Sequence, residues 1–317
     1  MNFTTKIPIP KSDKPINYNS KIVLLGSCFA ENMGEQLEYF KFQNTVNPFG
    51  IIFNPVSIEK LVSRIIDKQE FTENDIFFHN ERWHSYDVHS DLSHENKDEF
   101  LNQLNQIIQN SNNRIIESSH IIITYGTSWI YKLKSTNEVV ANCHKVPQVE
   151  FEKEILSVEI IEKSIQNTID YIRKTNPNCK IIFTVSPVRH LKDGFIANQL
   201  SKAHLITAIH ETVNRQLTTD NYFPSYEIMM DELRDYRFYG SDMLHPNQVA
   251  IDYIWERFFE TTISEASYPN METVSSIQKG LAHRPFHPNS KSHQKFLEEI
   301  QQMIKVVQQQ FQHIDFN

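Results

Sequence analysis

Short apolar runs of strand length recur along the chain. Residues 21–25 (KIVLL), 120–124 (HIIIT) and 180–185 (KIIFTV) are largely apolar on consecutive positions, which is typical of strands buried on both faces of a parallel sheet. Residues 45–48 and 226–230 predict two weaker strands. The pattern therefore predicts a buried sheet whose strands are widely separated in sequence.

Between these runs, apolar residues recur at helical spacing. Asn54 and Pro55 are typical of a helix N-terminus, and Ile58, Leu61 and Ile65 continue along one face. The predicted helices cover, in chain order, residues 30–39, 55–66, 95–115, 154–174, 198–217, 247–259 and 292–312. Strands that alternate with helices indicate an α/β fold whose parallel sheet is covered on both faces.

Two segments interrupt or end this alternation. Residues 70–95 are polar, aromatic and rich in histidine, which predicts an inserted loop or a small hairpin. From about Glu265 the alternation stops, and a loop is followed by a glutamine-rich helix. We therefore predict a main domain over residues 1–264 and a helical C-terminal extension over residues 265–317.

Composition narrows the classes of function. Of the 317 residues, 39% are hydrophobic, and the net charge of −8 argues against a nucleic-acid partner. Three cysteines cannot form a disulfide framework and indicate a reducing compartment. The N-terminus lacks the apolar stretch of a signal peptide, and no apolar run approaches the ~20 residues that span a bilayer. We expect a cytoplasmic protein without a membrane partner, and its oligomeric state stays open.

The seven glycines exclude the common nucleotide-binding loops, because neither G-x-G-x-x-G nor G-x-x-x-x-G-K-[ST] can be written from them. Gly50 and Gly126 instead follow predicted strands, at the edge where α/β enzymes bind ligands. A glycine at this edge lets a backbone N–H approach a substrate closely, although each also fits an ordinary turn.

Ser27 lies between the first predicted strand and the first predicted helix. Free N–H groups and the helix dipole stabilise negative charge at such a position, which favours a nucleophile. A plain N-cap serine explains the same position.

Asp242 precedes His245 by three residues, just before the helix predicted at 247–259. A histidine can deprotonate a serine when a carboxylate holds its other ring nitrogen, and this spacing allows that contact on a tight loop. A cap on a surface helix is the alternative interpretation.

These features together resemble the SGNH hydrolase superfamily and, more closely, the GSCFA family, whose signature is spelled by residues 26–30. Segments 47–50 (NPFG), 126–129 (GTSW) and 142–145 (NCHK) are similar to further segments of that family. The resemblance extends over about residues 20–262. It implies a three-layer α/β/α sandwich with a flavodoxin-like five-stranded parallel sheet, and an ester-directed serine enzyme.

The resemblance also implies roles for individual residues. Ser27 would be the nucleophile, His245 the base and Asp242 its orienting partner, while the N–H groups of Ser27 and Gly50 would stabilise the oxyanion. We expect Ser27 Oγ and His245 Nε2 to lie ~2.6–3.5 Å apart. No metal or organic cofactor is required for this chemistry.

One segment departs from the superfamily pattern. Where SGNH enzymes usually carry G-x-N-D, this chain has Gly126-Thr127-Ser128-Trp129, so the oxyanion asparagine is missing. Asn142 in the following loop and the Ser128 hydroxyl are the two candidates for that role.

The histidine-rich segment also allows two interpretations. His79, His84, His89 and His94 recur every five residues, which matches neither one helix face nor one strand face and argues against a metal site. We predict a lid that faces the substrate, with Trp83, His84 and His89 in contact with a polar ligand.

Cys28 is an alternative nucleophile, because a thiolate at a helix N-terminus is reactive. Ser27 and Cys28 cannot both face His245, and we interpret Cys28 as a packing residue. The sequence thus predicts a serine esterase, or an acyltransferase, acting on O-acyl groups of a small or carbohydrate-like substrate. A non-catalytic ligand-binding protein on the same scaffold is the alternative.

Overall fold

The structure, a computed structural model, describes residues 5–215 and 221–316. These residues contain ten strands and nine α-helices. The strands are β1 (Lys21–Gly26), β2 (Gln43–Val46), β3 (Phe77–His79), β4 (Arg82–His84), β5 (His120–Tyr125), β6 (Trp129–Leu133), β7 (Glu138–Val140), β8 (Phe151–Ile155), β9 (Lys180–Val185) and β10 (Asn221–Phe223). The helices are α1 (Cys28–Tyr39), α2 (Pro55–Ile66), α3 (Lys97–Glu117), α4 (Val158–Thr175), α5 (Phe195–Arg215), the one-turn α6 (Ser225–Glu227), α7 (Gln248–Thr262), α8 (Tyr268–Ala282) and α9 (Lys291–Gln310).

The central sheet has five parallel strands in the order β10-β9-β5-β1-β2. Numbered within the sheet alone, this order is 2-1-3-4-5, the doubly wound arrangement of flavodoxin-like folds. The predicted α/β sandwich with a flavodoxin-like parallel sheet is therefore confirmed. In such a sheet, ligands bind beyond the carboxyl ends of the strands, and the candidate residues cluster at that edge.

Helices cover both faces of the sheet because successive strand residues point to opposite sides. Val23 and Leu25 of β1 pack with α2, α3, α4 and α5 in one core. Ile22 and Leu24 pack with α1, α7, α8 and α9 in the other. Burial on both faces explains why these strands read as unbroken apolar runs. None of the helices in the described ranges is long and apolar enough to cross a membrane.

The C-terminal helices belong to the second core. Met271, Val274 and Ile277 of α8 and Ile300 of α9 are buried there together with residues of α1 and α7. Two helices occupy this region, whereas the sequence predicts a loop followed by one helix. The additional helix, α8, follows from its helical burial pattern and from a proline in its first turn. The boundary at residues 264/265 stays a prediction.

The prediction of a strand at residues 226–230 is wrong. The last strand of the sheet is β10, which ends just before Pro224, and the following residues form α6 and a π-helical turn, Ile228–Glu232. Tyr226 and Met229, three residues apart, are both buried, as in a helical turn. The Ser225 hydroxyl donates to the Val185 carbonyl at 2.7 Å and fixes the start of this turn against β9.

A small antiparallel sheet was not expected from the sequence. Strands β6, β7 and β8 form it in the order β7-β6-β8, so the helix predicted from residue 154 begins only at Val158. The Ser157 hydroxyl caps that helix by accepting from the Ile160 N–H. The hairpin predicted within residues 70–95 is present as β3 and β4. The end predicted for α5, at Leu217, lies outside the described residues.

Gly26 closes β1 against the neighbouring strand. Its φ is +133°, and a Cβ atom at this position would overlap the carbonyl group of Thr124 in β5. The Gly26 N–H donates to Asn47 Oδ1 at 2.8 Å, which links the ends of β1 and β2. Only glycine fits both the backbone angle and this close approach.

We expect Gly26→Ala to lower the free energy of unfolding by at least about 3 kcal/mol, because the methyl group must displace backbone of the central sheet. Gly194→Ala is the matched control: Gly194 has φ +85° and ψ 160°, but nothing lies within 4 Å of the position that a methyl group would take, so we expect only the backbone cost of about 1–3 kcal/mol, without the steric overlap. Urea unfolding of both variants measures the difference. Equal losses would contradict the steric explanation.

Candidate active site

Ser27 occupies the N-cap position of α1, directly after β1, but its side chain does not cap the helix. The side chain is fully buried (0% exposed), and Oγ has no hydrogen-bond partner. A buried hydroxyl without a partner is uncommon because its desolvation is not compensated. The plain N-cap explanation therefore does not account for Ser27.

The two N–H groups expected to bind an oxyanion are already engaged, and this expectation needs correction. The Ser27 N–H donates to Thr124 O at 3.0 Å, and the Gly50 N–H donates to Asn47 O at 2.7 Å. His89 also lies directly against the Gly50 backbone. Neither N–H is thus free to stabilise an oxyanion in this structure.

Cys28 lies beside Ser27 and is partly exposed. Burial raises the pKa of its thiol, as does the charge of Glu31, while Lys202 and the N–H groups of Cys28 and Phe29 lower it. The net effect on the pKa is upward, so the thiol form is favoured at neutral pH. This is the opposite of an activated cysteine nucleophile and fits the interpretation of Cys28 as a packing residue.

Asp242 and His245 form the contact that their spacing predicts. Asp242 Oδ2 lies 2.6 Å from His245 Nδ1, and Oδ1 accepts the N–H groups of Leu244 at 2.9 Å and His245 at 3.1 Å. The Leu244 N–H, the His245 ring and the His245 N–H together lower the pKa of Asp242 to about 2. The carboxylate therefore holds Nδ1 as a donor, and Nε2 is the nitrogen left to act as a base.

Arg189 holds the loop that carries this pair. Its guanidinium donates to Met243 O at 2.8 Å and lies over the ring of Tyr239 at 4.4 Å and that of Tyr236 at 5.3 Å. Met243, between Asp242 and His245, has φ +60°, a left-handed conformation that is unfavourable for a side chain of this size. The surrounding contacts maintain this conformation.

The predicted hydrogen bond between Ser27 and His245 is absent. Ser27 Oγ has no partner within hydrogen-bond distance, and the His245 side chain is 54% exposed whereas Ser27 is buried. Arg189 and His190 connect the two regions: the Arg189 N–H donates to Leu244 O at 3.4 Å, and the His190 ring lies 5.4 Å from that of Phe53, which contacts Gly126 beside Ser27. The two halves of the expected triad thus share one edge of the sheet without touching.

The candidates for the missing oxyanion asparagine lie in different surroundings. The Ser128 hydroxyl is buried and donates to Ser201 O at 3.2 Å, so its assignment to the oxyanion is wrong in this structure. Asn142 Oδ1 accepts the His144 N–H at 2.8 Å and forms a turn; its place near Ser27 stays a prediction. Gly126 follows β5, and a Cβ built on it would lie 3.4 Å from Ser27 Cβ.

The hairpin and its following loop cover part of the same edge. The His89 N–H donates to Phe49 O at 3.0 Å, which fastens the loop to the segment after β2. Trp83 exchanges two backbone hydrogen bonds with His94, and its ring lies 5.3 Å from Phe78. Of the three residues predicted to face a ligand, His89 is the one that contacts a residue of the strand-end loops.

His84 does not face a ligand, and its predicted role is corrected. It is buried, and its ring lies 4.7 Å from that of His144. Burial lowers the pKa of His144 to about 4, partly offset by its contact with the Ser85 carbonyl, so the ring is neutral at neutral pH. The two rings pack the hairpin against the loop before β8. No group of three or more histidine, cysteine or carboxylate side chains within the described ranges could hold a metal ion.

Two residues at this edge were missed by the sequence analysis. Lys202 of α5 is fully buried, and the partly buried His190 follows β9. Burial, then the charge of Lys202, lowers the pKa of His190 to about 4; Asp193 raises it and His245 lowers it. The segment 186–190 (SPVRH), directly after a predicted strand, was the signal that could have identified His190. Nothing in the sequence distinguishes Lys202, because it is an ordinary polar position within a predicted helix.

Comparison with known proteins adds a family. The GSCFA family matches residues 21–258, and the GSCFA domain protein, C-terminal domain, matches residues 274–317. No curated protein matches the sequence significantly. Among solved structures, a carbohydrate esterase family 3 from Talaromyces cellulolyticus is similar at a TM-score of 0.36 and 10% identity, over 81% of this chain and 99% of that chain.

We expect the carboxyl group of Asp242 to titrate near pH 2. The pH dependence of its ¹³C chemical shift measures this titration. Because folding lowers the pKa of this carboxyl group, its ionised form stabilises the fold at pH values above 3.8, the ordinary pKa of an aspartate. This contribution to stability disappears as the pH falls toward 2. In His245→Ala the midpoint should rise but stay below 3.8, because the Leu244 N–H remains. A midpoint at 3.8 in the unmodified protein would contradict the loop geometry.

Proposed function

Because this chain belongs to the GSCFA family and carries a buried, unpartnered serine hydroxyl and an Asp–His pair on one edge of its sheet, we propose that it is a serine esterase of the SGNH type. The substrate is an O-acyl ester of a small or carbohydrate-like molecule. The observation that carries the proposal is the 2.6 Å contact between Asp242 and His245, which leaves Nε2 as a base on the edge where Ser27 lies.

In this mechanism, His245 Nε2 accepts the Ser27 proton as Oγ attacks the ester carbonyl carbon. The tetrahedral intermediate collapses, the C–O bond to the alcohol breaks, and the protonated imidazole gives its proton to the departing oxygen. Water then attacks the acyl-enzyme with His245 again as base, which releases the acid and restores Ser27. If another hydroxyl attacks in place of water, the same site acts as an acyltransferase.

The substrate must bring the two halves of the site together. Ser27 is buried and His245 is half exposed, so catalysis requires the loop of residues 240–245 to approach the end of β1. A closure of this kind would exclude water from the acyl-enzyme.

An apolar and aromatic surface beside His245 supports an acyl or sugar ligand. The side chains of Phe195, Tyr236 and Met243 are about half exposed, and the first two lie around Arg189, which bonds to the Met243 carbonyl. Aromatic rings and hydroxyl groups of this kind bind sugar faces and short acyl chains. We place the reaction in the cytoplasm, since three cysteines cannot form a disulfide framework, and assign it no cofactor.

The alternative is a ligand-binding protein without catalysis, which the absence of a Ser27–His245 hydrogen bond favours. Activity toward esters separates the two. We expect hydrolysis of aryl acetates and longer acyl esters, and a loss of at least about 10³-fold in kcat for Ser27→Ala and for His245→Ala.

Ser164→Ala is the matched control for this experiment, because Ser164 Oγ is also buried and unpartnered but lies in α4. It should retain full activity. A fluorophosphonate probe should label the unmodified protein and the control but not Ser27→Ala. A folded protein that neither hydrolyses any of these esters nor reacts with the probe is the binding protein of the alternative.

We further propose that His89 shapes the substrate pocket. His89→Ala should change KM and the preference among acyl groups by about tenfold, whereas labelling of Ser27 by a small fluorophosphonate should change by less than about threefold. His94→Ala is the control, because that ring lies near Glu99 and bonds within its own turn. Equal effects of His89→Ala on large and small reagents would contradict a role in specificity.

A further inference from the structure

Lys202 is a lysine whose ammonium group lies inside the protein. Its side chain is 0% exposed, and Nζ donates to Gly126 O at 2.7 Å and to Ser186 O at 2.8 Å. These carbonyls follow β5 and β9, the two neighbouring central strands. Lys202 therefore joins the carboxyl ends of the strands at the edge where Ser27 lies.

The charge of Lys202 is not balanced by a carboxylate. Within residues 5–215 and 221–316, no ion pair involves Lys202, and both of its hydrogen bonds go to neutral carbonyl groups. Isolated buried charges are costly and are normally paired. Lys180, the other buried lysine, shows the usual solution: it is 1% exposed and pairs with Asp13 at the opposite end of β9.

The groups that face Lys202 come from three elements. Cys28 lies at the start of α1 within electrostatic range of Lys202, His190 after β9 is affected by the charge of Lys202, and the ring of Tyr226 lies 5.5 Å from Nζ. None of the three carries a negative charge in its favoured form. Next to them lies Ser27, whose fully buried Oγ is unpartnered.

We propose that Lys202 is a positioning residue of the proposed esterase: it fixes the strand-end carbonyls of Gly126 and Ser186 and places a buried positive charge beside Ser27, where the oxyanion of the tetrahedral intermediate forms. This inference rests on the proposed function. The charge of Lys202 takes the place of the Ser27 and Gly50 N–H groups in stabilising the oxyanion, because those N–H groups donate to backbone carbonyls. A fixed charge in a water-excluded site stabilises developing negative charge far better than it would in water.

This arrangement predicts a dependence on pH. Burial lowers the pKa of Lys202 to about 7, so the ammonium form is present below that pH and is lost as the pH rises through it. The rate of ester hydrolysis should therefore decline on the alkaline side, above about pH 7. Arginine stays charged throughout the accessible range, so a folded Lys202→Arg should lose this decline.

The experiment compares kcat and KM for an aryl ester at pH 6.5 in the unmodified protein, Lys202→Met and Lys202→Arg. We expect kcat of Lys202→Met to fall about 10²-fold, KM to change less than about threefold, and Lys202→Arg to recover part of the loss. Lys180→Met is the matched control: it also removes a buried ammonium group, but at the far end of the sheet, and should keep kcat within about threefold.

A folded Lys202→Met with kcat within threefold of the unmodified protein overturns the proposal. If Lys202→Met does not fold, the pH profiles decide: absence of the alkaline decline, or its persistence in Lys202→Arg, overturns the proposal. If neither variant folds, the profile of the unmodified protein decides alone. An unmodified protein without esterase activity instead refutes the proposed function, so the two failures are distinguishable.

Discussion

The close contact between the ends of β1 and β5 is the constraint on which the candidate site depends. Gly26 allows the β1 backbone to turn directly beside Thr124, and the Ser27 N–H completes the contact by donating to the Thr124 carbonyl. The serine side chain is thereby enclosed at the start of α1 with no partner for its hydroxyl. The same contact that fixes Ser27 removes its N–H from oxyanion binding.

Much of the fold could be predicted from the hydrophobic pattern of the sequence, because strands buried on both faces must be apolar throughout. The Asp242–His245 contact also followed, since three residues on a tight loop bring a carboxylate to a ring nitrogen. The prediction of a strand at residues 226–230 was wrong because a short, largely buried helical turn has a pattern of apolar residues that also fits a strand. The short strands β6 and β8 gave no comparable signal, because β6 has only five residues and β8 carries three charged residues in succession.

The chemistry of the site was less accessible to sequence reasoning than its location. Hydrogen bonds of backbone N–H groups depend on three-dimensional turns, so nothing in the sequence could show that the Gly50 N–H was engaged. Lys202 reads as one polar position of a helix, yet its ammonium group is the buried cation between two strand ends. Burial of a charged group is set by tertiary packing, which a one-dimensional pattern does not contain.

The packing of α8 and α9 against α1 has a consequence for the order of folding. The ring of Tyr18, just before β1, stacks on Phe311 at 4.7 Å, and Gln278 donates to the carbonyl of Tyr39 at the end of α1. The helix that begins beside Ser27 thus finds its final neighbours more than 200 residues later in the chain. Contacts of such long sequence separation form slowly. During synthesis, the apolar face of α1 must wait for the last helices to leave the ribosome, and it is a surface for chaperones to protect in that interval.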